Sequence, residues 1–236
     1  MNKKMKIITI SLCLLILTGC SPSSTMNESI DVVISNNAYL SIDMSDVIVM
    51  QGEGDINGDP SNPVEIYSKS YAIAIATIDS IDGGSNVIES TGKYTHPYTY
   101  GKLTIETVLK GDLTNGEQVN YVRSGGIVDY GSYYKSLSPA QQQKRDYLGA
   151  SNRGYVKYVF GNDIDIEVGK KYLIYFNNPE NGSLKNNSYQ IIGWESGLRE
   201  VNSTTTKEHS QSNGDILVLN NITNEWESLN SLIPYK

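Results

Sequence analysis

The chain has 236 residues, 19 Lys and Arg against 26 Asp and Glu, and a formal net charge of −7. That length allows one large domain or two small ones, with room for a real core. The acidic balance argues against nucleic acid or an anionic wall polymer as a partner.

The chain opens with a basic stretch, Lys3, Lys4 and Lys6, and an apolar run over 7–17 too short to span a bilayer as a mature helix. The run ends in Leu17-Thr18-Gly19-Cys20. This resembles a bacterial lipobox, in which small residues precede an obligatory Cys. The resemblance implies a diacylglyceryl thioether on Cys20, cleavage before it, and residues 1–19 as a lipoprotein signal peptide. Two or more acyl chains, palmitate among them, anchor a protein stably where one is marginal. The expected location is the cell membrane, facing the extracytoplasmic side. Processing removes three Lys and no acid, so −7 becomes −10. Cys13 leaves with the peptide and Cys20 carries lipid, so no thiol remains for a disulfide, a Cys zinc site or a Cys nucleophile.

Residues 20–30, small and polar with Pro22, read as a tether. Residues 31–35 (DVVIS) and 47–50 (VIVM) read as two short strands or a clasp. The 52–63 loop holds Asp55, Asn57 and Asp59, alternate oxygen side chains as at the start of a calcium loop. The pattern then breaks at Pro60, and the closing acid is replaced by Ile66, so an acidic surface loop is the plainer reading. Asn62, Pro63 and Glu65 form a helix start, and the helix should end near Lys69. Residues 71–81 (YAIAIATIDSI) predict a strand with an Ile face and an Ala face; the Ala face requires something packed very close, a helix or the inside of a narrow barrel. A turn is expected at 82–85 and a polar hairpin arm with His96 over 87–97. Residues 98–111 return antiparallel, with Leu103, Ile105, Thr107 and Leu109 on one face.

Further strands are expected at 118–123, 127–130, 155–160, 171–176, 189–193 and 216–219, with Gly125-Gly126 as a bend. Ser138, Pro139 and Gln141 start a polar helix that Gly149 stops. Residues 202–214 read as a loop. Trp226, Leu229 and Ile233 lie at helical spacing behind an Asn224–Glu227 capping box. The fold class is therefore mainly β, an antiparallel β-barrel with two or three short peripheral helices. Residues 31–236 form one domain with its core at about 62–200.

The Ala-rich strand, a strand ending Val108-Leu109-Lys110-Gly111, a Gly-Gly bend and the run 168–176 (VGKKYLIYF) occur in this order. The series is similar to tissue-inhibitor-of-metalloproteinase and netrin-like domains, and to uncharacterised lipoproteins of Gram-positive bacteria (Firmicutes). The resemblance covers roughly 70–197 and implies an OB-like barrel. It departs where it matters for activity. The inhibitors hold their barrel with disulfides and chelate a protease zinc through a free N-terminal Cys, whereas Cys20 would be lipidated. Fold likeness alone does not carry a function.

Candidate chemistry is sparse. His96 and His209 lie in polar stretches, and no Ser sits in a Gly-x-Ser-x-Gly elbow. Asp163, Asp165 and Glu167 share one side of an extended segment, a pattern for cation binding, for paired carboxylates in sugar hydrolysis, or for the solvent face of an edge segment. Tyr130, Tyr133 and Tyr134 could stack on a sugar or join a core. No catalytic, cofactor or metal residue is assigned. The expected function is a monomeric, non-enzymatic, lipid-anchored surface module that binds a protein or peptide. The alternatives are a cell-wall or carbohydrate binder using Tyr-rich loops, and a hydrolase using acid residues.

Overall fold

A computed structural model describes residues 34–35, 39–52, 54, 58–149, 153–180, 183–202 and 216–233. All belong to one compact unit, 31–236. The signal peptide, Cys20, the 20–30 tether, Asp55, Asn57, His209 and the 203–214 part of the expected loop lie outside the described residues.

Period-two alternation builds the main wall. Strands β3 (Ala72–Ile88) and β4 (Lys93–Lys110) pair antiparallel along most of their length. β5 (Gln118–Ser124) pairs antiparallel with β4, and β8 (Lys171–Asn177) antiparallel with β3. The short β9 (Tyr189–Ile191) bridges the remaining gap, parallel to β5 and antiparallel to β8. The five strands thus pair in a closed ring, β3-β4-β5-β9-β8 and back to β3. A two-residue strand β1 (Ile34–Ser35) adds to β3, and β10 (Leu198–Glu200) to β8.

The Ala face of β3 points into the ring. Ala72, Ala74 and Ala76 leave space there for Tyr121, Tyr172 and Phe176, packed with Leu103, Ile105 and Ile174. The Ile face looks outward into a second core. There Ile73 and Ile75 meet Ile66 of α1 (Pro63–Lys69) and Leu229 and Leu232 of α5 (Leu229–Leu232). Burial on both faces explains why this wall is apolar on both.

A separate three-stranded sheet stands beside the ring. β2 (Val47–Gly52) runs parallel to β7 (Tyr155–Phe160), and β6 (Gly126–Asp129) runs antiparallel to it. Asp46 accepts from Gly154 N at 2.9 Å, tying β2 to β7 across 108 residues of chain. Helices α2 (Tyr130–Ser136) and α3 (Pro139–Tyr147) follow β6. The turn α4 (Trp194–Gly197) precedes β10, and a hairpin of β11 (Leu217–Asn220) and β12 (Glu225–Ser228) closes the described chain before α5.

Mainly β is the observed class, with four corrections. The pairing is mixed, since β5–β9 and β2–β7 are parallel. Five short helices are described rather than two or three. Gly83 and Gly84 lie inside β3 rather than in a turn: a Cβ on Gly84 would fall 2.0 Å from the Ile127 carbonyl oxygen, so the glycine admits a close backbone crossing. Trp226 sits on β12, opposite Leu219 and 44% exposed, and the helix starts only at Leu229 under a Ser228 cap. Asn224, with φ of +59°, shapes the hairpin turn instead of capping a helix.

Candidate functional site

Along β5, Val119, Tyr121 and Arg123 follow one face. The first two belong to the ring core, so the third carries a guanidinium to the end of the ring interior, where it is 6% exposed. A charge placed there must be paired. Arg123 Nη2 donates to Asp163 Oδ1, and Nη1 donates to the Ile164 carbonyl at 2.5 Å. Arg123 Nε has no hydrogen-bond partner among the described residues.

Residues 163–167 lie across this end of the ring. Ile164 and Ile166 pack on the ring core. Each acid meets its own cation: Asp163 with Arg123, Asp165 with Lys157 at 2.7 Å, and Glu167 with Lys170 at 2.8 Å. The three acids thus have three different cation partners and do not work as a carboxylate pair. The Asp163 side chain is 6% exposed and that of Asp165 is 73% exposed. Burial pushes the Asp163 carboxyl up to about 6; the Arg123 charge opposes this, and the nearby Glu195 carboxylate adds to it. The segment is irregular rather than an edge strand.

Between this end of the ring and the three-stranded sheet is a cavity of about 320 Å³. Arg123, Lys157, Asp163 and Asp165 line it, with Ile42, Ile81, Ile127, Ile164 and Ile166 as apolar walls. Tyr39 closes one side. Its hydroxyl accepts from Ile127 N at 3.2 Å and lies 3.0 Å from Thr99 Oγ1, which donates to the Gly125 carbonyl at 2.9 Å. The tyrosyl proton therefore goes to Thr99, completing a one-way chain from sheet to ring. Tyr39→Phe would leave the Ile127 N–H without its acceptor. A loss of about 2 kcal/mol is expected in urea unfolding.

Ser124, next on β5, also lines the cavity. Its Oγ lies 3.1 Å from His96 Nε2. Burial pushes the His96 pKa down, favouring the neutral ring. The other ring nitrogen is 3.4 Å from Thr95 Oγ1, so a hydroxyl rather than a carboxylate faces it. The ring packs edge-on against Phe160 at 5.2 Å, and Phe160 stacks on Trp194 at 5.1 Å. Among the described residues the Ser–His pair has no acid bonded to its other ring nitrogen, and it is bedded in aromatic packing.

The remaining candidates are accounted for locally. Asp59 Oδ1 accepts from Ser61 N and Oγ at 2.9 and 2.6 Å, building the turn into α1. Among the described residues no cluster of three His, Cys, Asp or Glu side chains is placed to hold a metal. Tyr130 and Tyr133 are buried against Val128 and Val156, with Tyr133 only 6% exposed, so they offer no open platform for a sugar. Tyr134 donates to Asp146 at 2.9 Å. No described helix is long and apolar enough to cross a membrane. Arg123, Ser124 and Tyr39 were not among the residues that sequence reasoning singled out. The one usable signal was a charged residue in phase with Val119 and Tyr121.

No protein-family model matches the chain, and comparisons with curated proteins and with solved structures give no match.

Proposed function

We propose that the chain is a lipid-anchored extracytoplasmic module, built on an OB-type barrel, that binds a protein or peptide and catalyses no reaction. The anchor rests on the Leu17-Thr18-Gly19-Cys20 motif behind its basic and apolar runs. The barrel reading is supported by ring closure with five strands and by the jump that sets β9 beside β5. The observation that carries the binding reading is the cavity itself. It is of ligand size, and its acids are held by their own cations instead of being free for proton transfer.

Two measurements test this. Mass spectrometry of the N-terminal peptide, from protein expressed in a Gram-positive host, should find lipid on Cys20 and none of residues 1–19. An unmodified Cys20 refutes the anchor. On a peptide array the full chain should show saturable binding and leave the peptides intact. Turnover of a peptide or glycan without saturable binding refutes the module.

A further inference from the structure

Resting on the lipid-anchor reading, we infer that the outer face of α3 is where the domain meets its own membrane: Tyr147 and Leu148 enter the interface of an anionic bilayer, with Lys135 and Lys144 at its phosphates.

The helix is built inside out. Gln142, Arg145 and Asp146, spaced i, i+3 and i+4, share the side that faces the domain. Gln142 Nε2 donates to the Tyr134 carbonyl at 3.0 Å, Arg145 Nη2 donates to Met50 Sδ at 2.8 Å, and Asp146 accepts from the Tyr134 hydroxyl at 2.9 Å. At about 100° per residue, Ala140, Lys144, Tyr147 and Leu148 fall on the opposite side. No residue of α3 is buried. Tyr147 is 89% exposed, the highest value among the described large apolar side chains, and Leu148 is 60% exposed. A helix resting on a protein core puts its apolar stripe inward, so this reversal calls for an apolar phase outside the domain.

Charge selects the occupant. Lys135, Lys144 and Arg145 stand against Asp146 alone between Tyr130 and Gly149, in a chain that is acidic overall, and Asp146 is turned inward onto Tyr134. The other exposed apolar side chains sit beside acids: Leu40 and Met44 flank Asp43, Val168 follows Glu167, and Ile222 and Trp226 flank Glu225. Anionic headgroups therefore attract the α3 face and repel most of the remaining surface, and Tyr is a residue that settles at such an interface. Reach permits it. The 13 residues between Cys20 and Ile34 span at most about 45–50 Å, and a domain of this size has a radius of gyration of about 17 Å. Because the acyl chains already hold the domain at the surface, a weak second contact suffices to orient it. A second copy fits less well. The two side chains offer on the order of 300 Å², against about 800 Å² per partner in a stable interface, and two-fold pairing would set Lys144 near its own copy.

The test uses the lipidated protein, reconstituted through its anchor into phosphatidylcholine vesicles with and without phosphatidylglycerol. With Cys20 a thioether, the processed chain has no free thiol. Leu148→Cys therefore gives one site for an environment-sensitive fluorophore, and Ile222→Cys, in the turn between β11 and β12, gives the control. In vesicles holding phosphatidylglycerol and a shallow nitroxide lipid, the probe at 148 should be quenched at least fivefold more than the probe at 222. Omitting phosphatidylglycerol, or combining Lys135→Glu with Lys144→Glu, should reduce that quenching at least threefold, the variant keeping its unfolding transition. Equal quenching at 148 and 222 overturns this inference and leaves the anchor standing. Quenching at 148 that ignores phosphatidylglycerol overturns the charge argument and with it the choice of an anionic bilayer. A blue shift at 148 that follows protein density, without quenching by lipid, places a second copy on this face and overturns the lipid contact. Protein that does not float with the vesicles overturns the anchor and this inference together.

Discussion

Gly197→Ala should destabilise the protein by roughly 4–5 kcal/mol, lowering its midpoint by on the order of 10–20 °C. A Cβ at this position would lie 1.4 Å from the Ile192 carbonyl oxygen and 2.6 Å from its carbon. Both atoms are backbone, so no rotamer change relieves the contact. The preceding turn has little slack. Trp194 is held at a φ of +45°, a conformation that costs a non-glycine residue about 1–3 kcal/mol. Its compensation is the stack on Phe160 at 5.1 Å. Gly193 O accepts from Ser196 N and Gly197 N at 2.9 and 3.1 Å, closing the turn on itself. Opening it to admit a methyl group would break those bonds and slide Trp194 off Phe160. Ser196→Ala is the control. Ser196 is buried in the same turn, and its hydroxyl has no partner among the described residues, so its loss should be neutral or slightly stabilising. Thermal unfolding followed by circular dichroism and tryptophan fluorescence separates the two. Equal effects would show that the turn, rather than the Cβ clash, is fragile.

The parts of the fold readable from sequence were those written in local periodicity. The Ala and Ile faces of β3 are visible in YAIAIATI, and the ring places the Ala face inside, against Tyr121, Tyr172 and Phe176. The Ser138–Gln141 capping box forms as its residue types dictate. Failures occurred where a distant element decides. Gly83-Gly84 has the composition of a turn, but the approach of Ile127 keeps it in a strand. The sequence predicts a strand over 127–130 and no helix after it, yet Asp129 caps a helix at Tyr130–Ser136 by accepting from Ser132 N at 3.0 Å, and Asn86, itself buried in β3, accepts from Ser132 Oγ and donates to Ser132 O. The candidate site depends more heavily on such contacts. Asp163 and Asp165 stood out as acids in DIDIE, but their partners lie 40 and 8 residues away. The first of these partners lies on β5, and β6, α2, α3 and β7 intervene before Asp163. The cavity itself forms between two separate sheets, and no local window of sequence contains both.

Arg123→Met should cost roughly 3–5 kcal/mol at pH 8, because it strands the Asp163 carboxylate in a buried site. The pH dependence identifies the cause. In the native protein Asp163 titrates at about 6, above its ordinary 3.8. The folded state therefore holds this proton more tightly than the unfolded chain does. The Asp163 contribution to stability falls as pH rises from about 4 to about 6, by about 3 kcal/mol in all, and is level above that. Without Arg123 nothing of opposite charge offsets burial and Glu195, so the folded value climbs and the falling window extends past 6. Acidification from pH 8 to 6.5 should then stabilise Arg123→Met relative to the parent. Carboxylates held below their ordinary values, such as Glu89 and Glu106, contribute with the opposite sign, but they are common to both proteins and cancel in the difference. Arg123→Met with Asp163→Leu removes the stranded charge and should recover most of the loss, since an apolar pair can replace a buried ion pair at little cost. Urea unfolding of the parent, the single and the double variant at pH 5, 6.5 and 8 supplies every term. A single-variant loss independent of pH would mean that the guanidinium acts through packing alone. A double variant no better than the single would mean that its hydrogen bond to Ile164, rather than the charge on Asp163, holds residues 163–167 on the ring.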